Sequence, residues 1–143
     1  MKIFFAFPIA GDRSSIDSAK KIVGMLESLG HHVTTKIFLE REKMQQQEKN
    51  LTPQEKYALD LKWLLEADVL VGEISNPSYG MGFEAGYLLG ATDKKVILVH
   101  SRQNNEKITA MARGNTHPNC TVFEYDDVNE LRDFFRNNLG ACA

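Results

Sequence analysis

Two rhythms of apolar residues alternate along this chain. Runs that are apolar on both faces, such as "KIFFAFP" at 2–8, carry the pattern of a central parallel strand. Similar runs stand at 69–74 ("VLVGEI"), 96–100 ("VILVH") and 121–125 ("TVFEY"), and "HVTTKIF" at 32–38 reads as a β-branched second strand. Helical stretches lie between them. The first spans 15–29 and is closed by Gly30 just past its end. The second, 52–67, opens on "TPQE", with Thr52 as N-cap, Pro53 in the first position and Glu55 closing a capping box. Further helices are expected at 81–91, near 106–112 and at 128–139, whereas the charged, glutamine-rich "EREKMQQQEKNL" at 40–51 reads as a mobile or weakly helical loop.

Strands alternating with helices at this spacing predict an α/β fold: a doubly wound, five-stranded parallel sheet of flavodoxin-like order 2-1-3-4-5. Ligands of such sheets bind beyond the carboxyl ends of the strands, at the switch point between strands one and three. The turns meeting there are "PIAGDRSS" and "NPSYGMGFEAG".

Composition narrows the class. A chain of 143 residues fits one domain with a real core, without disulfides or metal. A formal net charge of −2 with mixed signs offers no basic face for nucleic acid or anionic membrane. No apolar run is long enough to span a bilayer, and "MKIFFAFP" reads as a strand and not as a signal peptide. The two cysteines, Cys120 and Cys142, have no CxxC or Cys/His spacing, which suits a reducing cytoplasm and gives no zinc site. No metal or cofactor is expected, and His31 and His32 read as solvated turn residues.

Two carboxyls stand out. Glu84 falls in the expected first turn of the helix after "PSYGMGF", where the positive end of the dipole favours an ionised carboxylate. Gly80 and Gly82 let a ligand come close to that backbone. The plainer alternative is an ordinary first-turn glutamate. The spacing is GxGxxxG, so the dinucleotide fingerprint does not match. Asp60 lies on the flank of an apolar arc formed by Tyr57, Leu61, Leu64 and Leu65, where desolvation raises a carboxyl pKa; a boundary aspartate bonded to backbone or water is its alternative. One carboxyl kept ionised and one pushed towards neutral is the arrangement of glycosyl transfer. Arg13, at the start of the first helix, could hold an anion there.

The runs "LKWLLEADVLVGEISNPSYGMGFEAGYLLG", with Asp60 before them, and "ITAMARG" after them, resemble the nucleoside 2-deoxyribosyltransferase superfamily, in particular its 2′-deoxynucleoside 5′-phosphate N-hydrolase branch. The resemblance covers nearly the whole chain and implies one such domain over 1–143. It also implies a cytoplasmic homodimer with shared active sites that cleaves the base–sugar bond of a nucleotide. By position, Glu84 is then the nucleophile of a covalent glycosyl-enzyme intermediate and Asp60 the acid that protonates the base. Substrate binding falls to Ile9, Gly11 and Arg13 in the first turn and to Ser78, Gly80 and Gly82 in the third. In the "ITAMARG" segment it falls to Thr109 and Met111. Ser78 is expected on the 5′-phosphate and Thr109 on the phosphate of the neighbouring subunit's site.

The first turn departs from that pattern. Phe4 stands where the hydrolases carry a tyrosine that bonds the nucleophile, leaving Tyr57 and Tyr79 as hydroxyls that could replace it. Pro8 and Ala10 replace a serine and an arginine on the phosphate. The other readings of the same residues are a nucleoside deoxyribosyltransferase, a ribonucleoside monophosphate hydrolase and a nucleotide-binding sensor.

Overall fold

The computed structural model describes residues 1–9 and 11–140. Ala10 and Cys142 therefore lie outside the described residues. Strands β1 (Lys2–Ala6), β2 (His32–Val33), β3 (Val69–Glu73), β4 (Lys95–Ser101) and β5 (Cys120–Tyr125) form one all-parallel sheet in the order β2-β1-β3-β4-β5. The expected order is the observed one. Because β1 is apolar on both faces, it feeds two cores. Ile3, Phe5 and Phe7 pack with Ile22, Leu26 and Phe135 on one side. Phe4 and Ala6 pack with Phe38, Leu64, Leu70 and Leu88 on the other.

Helix α1 (Ile16–Ser28) ends as the sequence predicts, with Gly30 at φ 86°. Helix α3 (Pro53–Glu66) begins with the complete Thr52–Glu55 capping box. Its buried arc is narrower than expected: Leu64 is buried and Leu61 half-buried, but Tyr57 and Leu65 are exposed. Trp63 packs against Phe38, with ring centroids 6.0 Å apart.

Other elements correct the sequence reading. The second strand stops after Val33, because the Thr35 hydroxyl takes over the next ladder position. It donates to the Phe5 carbonyl and accepts from the Phe5 amide, each at 2.8 Å. The chain then turns into a 3₁₀ segment, Lys36–Leu39, that drops Phe38 into the core. The stretch read as a loop at 40–51 contains helix α2 (Arg41–Glu48), held by buried Met44.

Helix α4 (Tyr79–Ala91) starts two residues early because the Ser78 hydroxyl caps the Met81 amide at 3.4 Å. The helix expected near 106–112 is divided into a 3₁₀ segment (Arg102–Lys107) and the single turn α5 (Ala110–Arg113). Ser101 and Thr109 each cap their own piece. The last helix likewise opens as a 3₁₀ turn, Val128–Glu130, under an Asp127–Glu130 capping box, before α6 (Leu131–Leu139). His31 is buried, not solvated: its Nε2 lies 3.0 Å from the Gly140 carbonyl and burial lowers its pKa.

Candidate active site

Pairing of Ala6 with Gly72 puts the ends of β1 and β3 side by side, so the turns that follow them meet. The Asn76 amide group lies 3.1 and 3.0 Å from the Ser14 and Ser15 hydroxyls. A Cβ on Gly11 would sit 3.7 Å from the Pro77 carbonyl. This is the switch point that the sequence pattern singled out.

Helices α3 and α4 bring Asp60 and Glu84 together. Both are half-buried, and among the described residues neither carboxyl has a hydrogen-bond or ion-pair partner. The Asp60 Oδ1 is wholly buried without one. Glu84 is pushed up to about 8, first by burial and then by the Asp60 charge. Asp60 is pushed up to about 6, by burial and by Glu48 against the opposing pull of Lys56. The sequence reading of Glu84 as a carboxylate kept ionised by the helix dipole is thereby corrected. With α4 starting at Tyr79, Glu84 lies in the second turn, beyond the free amides, and desolvation dominates. Between about pH 6 and about 8 the pair carries one proton.

Phe4 is fully buried against Phe38, at 6.4 Å between centroids. Neither possible replacement hydroxyl bonds to Glu84: the Tyr57 ring lies edge-on to Phe83 at 6.3 Å, and Tyr79 is wholly exposed. Arg13 turns inward. Its Nη2 donates to the Phe38 carbonyl at 3.1 Å, and its guanidinium lies 5.6 Å from the centre of the Phe7 ring. The Nη1 is buried without an acceptor. Burial and the nearby charge of Arg41 both lower its pKa.

Ile9 lines a cleft of about 440 Å³ together with Arg41, Met44, Glu48 and Lys56. Ser78 spends its oxygen on the α4 cap, while Gly80 and Gly82 are exposed, and a Cβ at Gly82 would meet nothing within 4 Å. Thr109 and Met111 do not join the pair: they are exposed on α5, with no hydrogen bond to either carboxyl. Arg113 donates to the Asn105 carbonyl at 3.4 Å.

Sequence reading missed Glu73. It ends an apolar strand and is fully buried, accepting hydrogen bonds from the Ser75 hydroxyl, from Ser15 at 3.1 Å and from Tyr125 at 3.2 Å. Burial raises the Glu73 pKa, and the Tyr125 phenol rises to about 12. The network ties the end of β3 to the start of α1 and to β5. The one signal in the sequence was a glutamate inside "VLVGEI", where a both-faces-buried strand allows no charge without partners. Among the described residues no group of three His, Cys, Asp or Glu side chains could hold a metal.

A doubly wound α/β sheet with two unpartnered carboxyls on neighbouring helices has the parts that glycosyl-transfer chemistry uses. Residues 3–128 match the family model described as nucleoside 2-deoxyribosyltransferase, and the chain belongs to that family. A Thermofilum pendens protein that bears the name 2′-deoxynucleoside 5′-phosphate N-hydrolase 1 is 42% identical over 130 residues, covering 91% of this chain and 89% of the relative. A 5-hydroxymethyl-dUMP N-hydrolase of Tetraodon nigroviridis is 28% identical over 143 residues, covering 96% and 99%. Among solved structures, the CMP N-glycosidase of Clostridium botulinum superposes with a TM-score of 0.69 at 21% identity, covering 96% of this chain and 99% of that one. It shares the fold.

Proposed function

We propose that this enzyme hydrolyses the N-glycosidic bond of 2′-deoxyribonucleoside 5′-monophosphates. The observation that carries the mechanism is the pairing of two half-buried carboxyls without hydrogen-bond partners, Glu84 and Asp60, which together hold one proton near neutral pH. At rest that proton sits chiefly on Glu84, whose pKa is the higher; the productive form is the minor one in which it has moved to Asp60 and left Glu84 ionised. A Glu84 carboxylate oxygen bonds to C1′ as the C1′–N bond breaks, and Asp60 gives its proton to the departing base. Water then attacks C1′, loses a proton to Asp60 and frees Glu84, leaving deoxyribose 5-phosphate.

The 5′-phosphate is assigned to the mouth of the first turn. There the α1 amides, Ser78 and the unsatisfied Nη1 of Arg13 supply donors in place of the groups lost at Pro8 and Ala10. A homodimer completes the site. Tyr79, Phe83 and Met111 are exposed apolar side chains, the first two on the helix that carries Glu84. Covering that face with a second copy brings the partner subunit's Thr109 to the phosphate.

The test is base release from matched nucleosides and monophosphates, in deoxyribose and ribose forms, with and without an acceptor base. Release from deoxynucleotides without acceptor is expected. Dependence on an acceptor, with nucleosides turned over equally well, would replace hydrolysis by deoxyribosyl transfer. Preference for the ribose form would make it a ribonucleotide hydrolase, and binding without turnover a sensor.

A further inference from the structure

The charged pair across α2 and α3 has no role in binding or chemistry so far, yet it borders Asp60. Glu48, at the end of α2, pairs with Lys56 at 3.3 Å, and the Glu48 side chain is only 19% exposed. Lys56 is one helical turn before Asp60, on the same face of α3, within reach of its carboxylate. Lys56 is drawn to Glu48, and the buried Asp60 Oδ1 has no partner. Buried Met44 pins α2 over this spot, and Glu48 and Lys56 both line the cleft beside Ile9. The charges facing Asp60 are thus Glu48 from α2, Lys56 from its own helix and Glu84 from α4, with Arg41 and Lys49 further along the cleft.

We propose that Glu48 and Lys56 are positioning residues for Asp60: Glu48 holds Lys56 away from it and so keeps open the form in which Asp60, and not Glu84, carries the proton that a departing base takes. The inference rests on the reading of Asp60 as the acid. It gives the glutamine-rich segment a function, since α2 is what holds Glu48 in place. Glu48 favours the protonated form of Asp60 and Lys56 opposes it, so removing each must act with opposite sign.

The experiment compares pH profiles of kcat/KM for base release by Glu48→Gln, Lys56→Met and the double variant, each checked for native circular dichroism. Glu48→Gln frees Lys56 to pair with Asp60. It is expected to move the acid limb, which follows Asp60, down by about one pH unit and to lower the plateau about tenfold. Lys56→Met is expected to move the limb up, and the double variant to return it towards the parent. A ¹³C-carboxyl titration of Asp60 in the same proteins should show the same opposite shifts. Shifts of one sign in both single variants, or none, overturn the inference. Wild-type base release by Asp60→Asn would remove the acid assignment itself, and the Asp60 titration then decides alone whether Glu48 and Lys56 set its proton.

Discussion

Glu84 and Asp60 face one another from neighbouring helices without a hydrogen bond to either, and the Asp60 charge adds to burial in lifting Glu84 to about 8. A carboxyl left unpartnered in a folded protein is costly, and the cost is carried here by both members of a pair.

If this pair does the chemistry, Glu84→Ala should abolish base release while the fold persists. Asp60→Asn should bind substrate and lose on the order of 10²–10⁴ in rate, the worth of a general acid. Single-turnover base release on both proteins is the measurement. Near wild-type turnover by Glu84→Ala would sink the mechanism.

The same pair predicts a pH-dependent gain in stability. Folding raises the Glu84 pKa from the ordinary 4.5 to about 8, so its contribution is full below the lower value and is lost as pH rises through the upper one. Glu84→Gln removes the ionisation and keeps the shape. Its stability advantage over the parent should grow across that window towards about 5 kcal/mol at most, about 1.4 kcal/mol for each unit of the shift, and level off above it. Denaturant melts at acid, neutral and alkaline pH read this directly; an advantage that shrinks with rising pH would contradict the burial of Glu84.

Arg13 is predicted to confer the monophosphate preference. Its Nη1 is buried with no acceptor, and one charge-assisted bond is worth roughly 1.5–3 kcal/mol, about tenfold to a hundredfold in affinity. Arg13→Ala should lower kcat/KM for monophosphates by that factor and leave nucleosides nearly unchanged. An equal loss on both substrates would show that its contacts with Phe7 and the Phe38 carbonyl are what matter.

Thr109 tests the shared site. Glu84→Ala and Thr109→Arg should each be inactive, yet mixed dimers place both defects in one site and leave the other whole. Co-refolding equal amounts should restore roughly a quarter of the parent activity. No recovery despite demonstrated subunit exchange would mean that each site is built from one chain.

Local chemistry made much of the fold legible in the sequence. Thr52, Pro53 and Glu55 specify a helix start among themselves, Gly30 specifies a helix end, and the both-faces apolar run at β1 can only be a strand between two layers. From that alternation follow the strand order and the switch point, and Glu84 and Asp60 with them. Other features depended on residues distant in the chain. Thr35 ends β2 because Phe5, thirty residues earlier, offers it both a donor and an acceptor. The charged segment at 41–48 is helical although its own sequence argues weakly for it, because Met44 is buried in the second core. Glu73 is tolerated inside the sheet only because Ser15 and Tyr125 converge on it. The protonation of Glu84 was decided by tertiary structure alone. Helix position argued for a charge, but desolvation and a second carboxyl argued against it, and both are properties of packing that no spacing along one chain records.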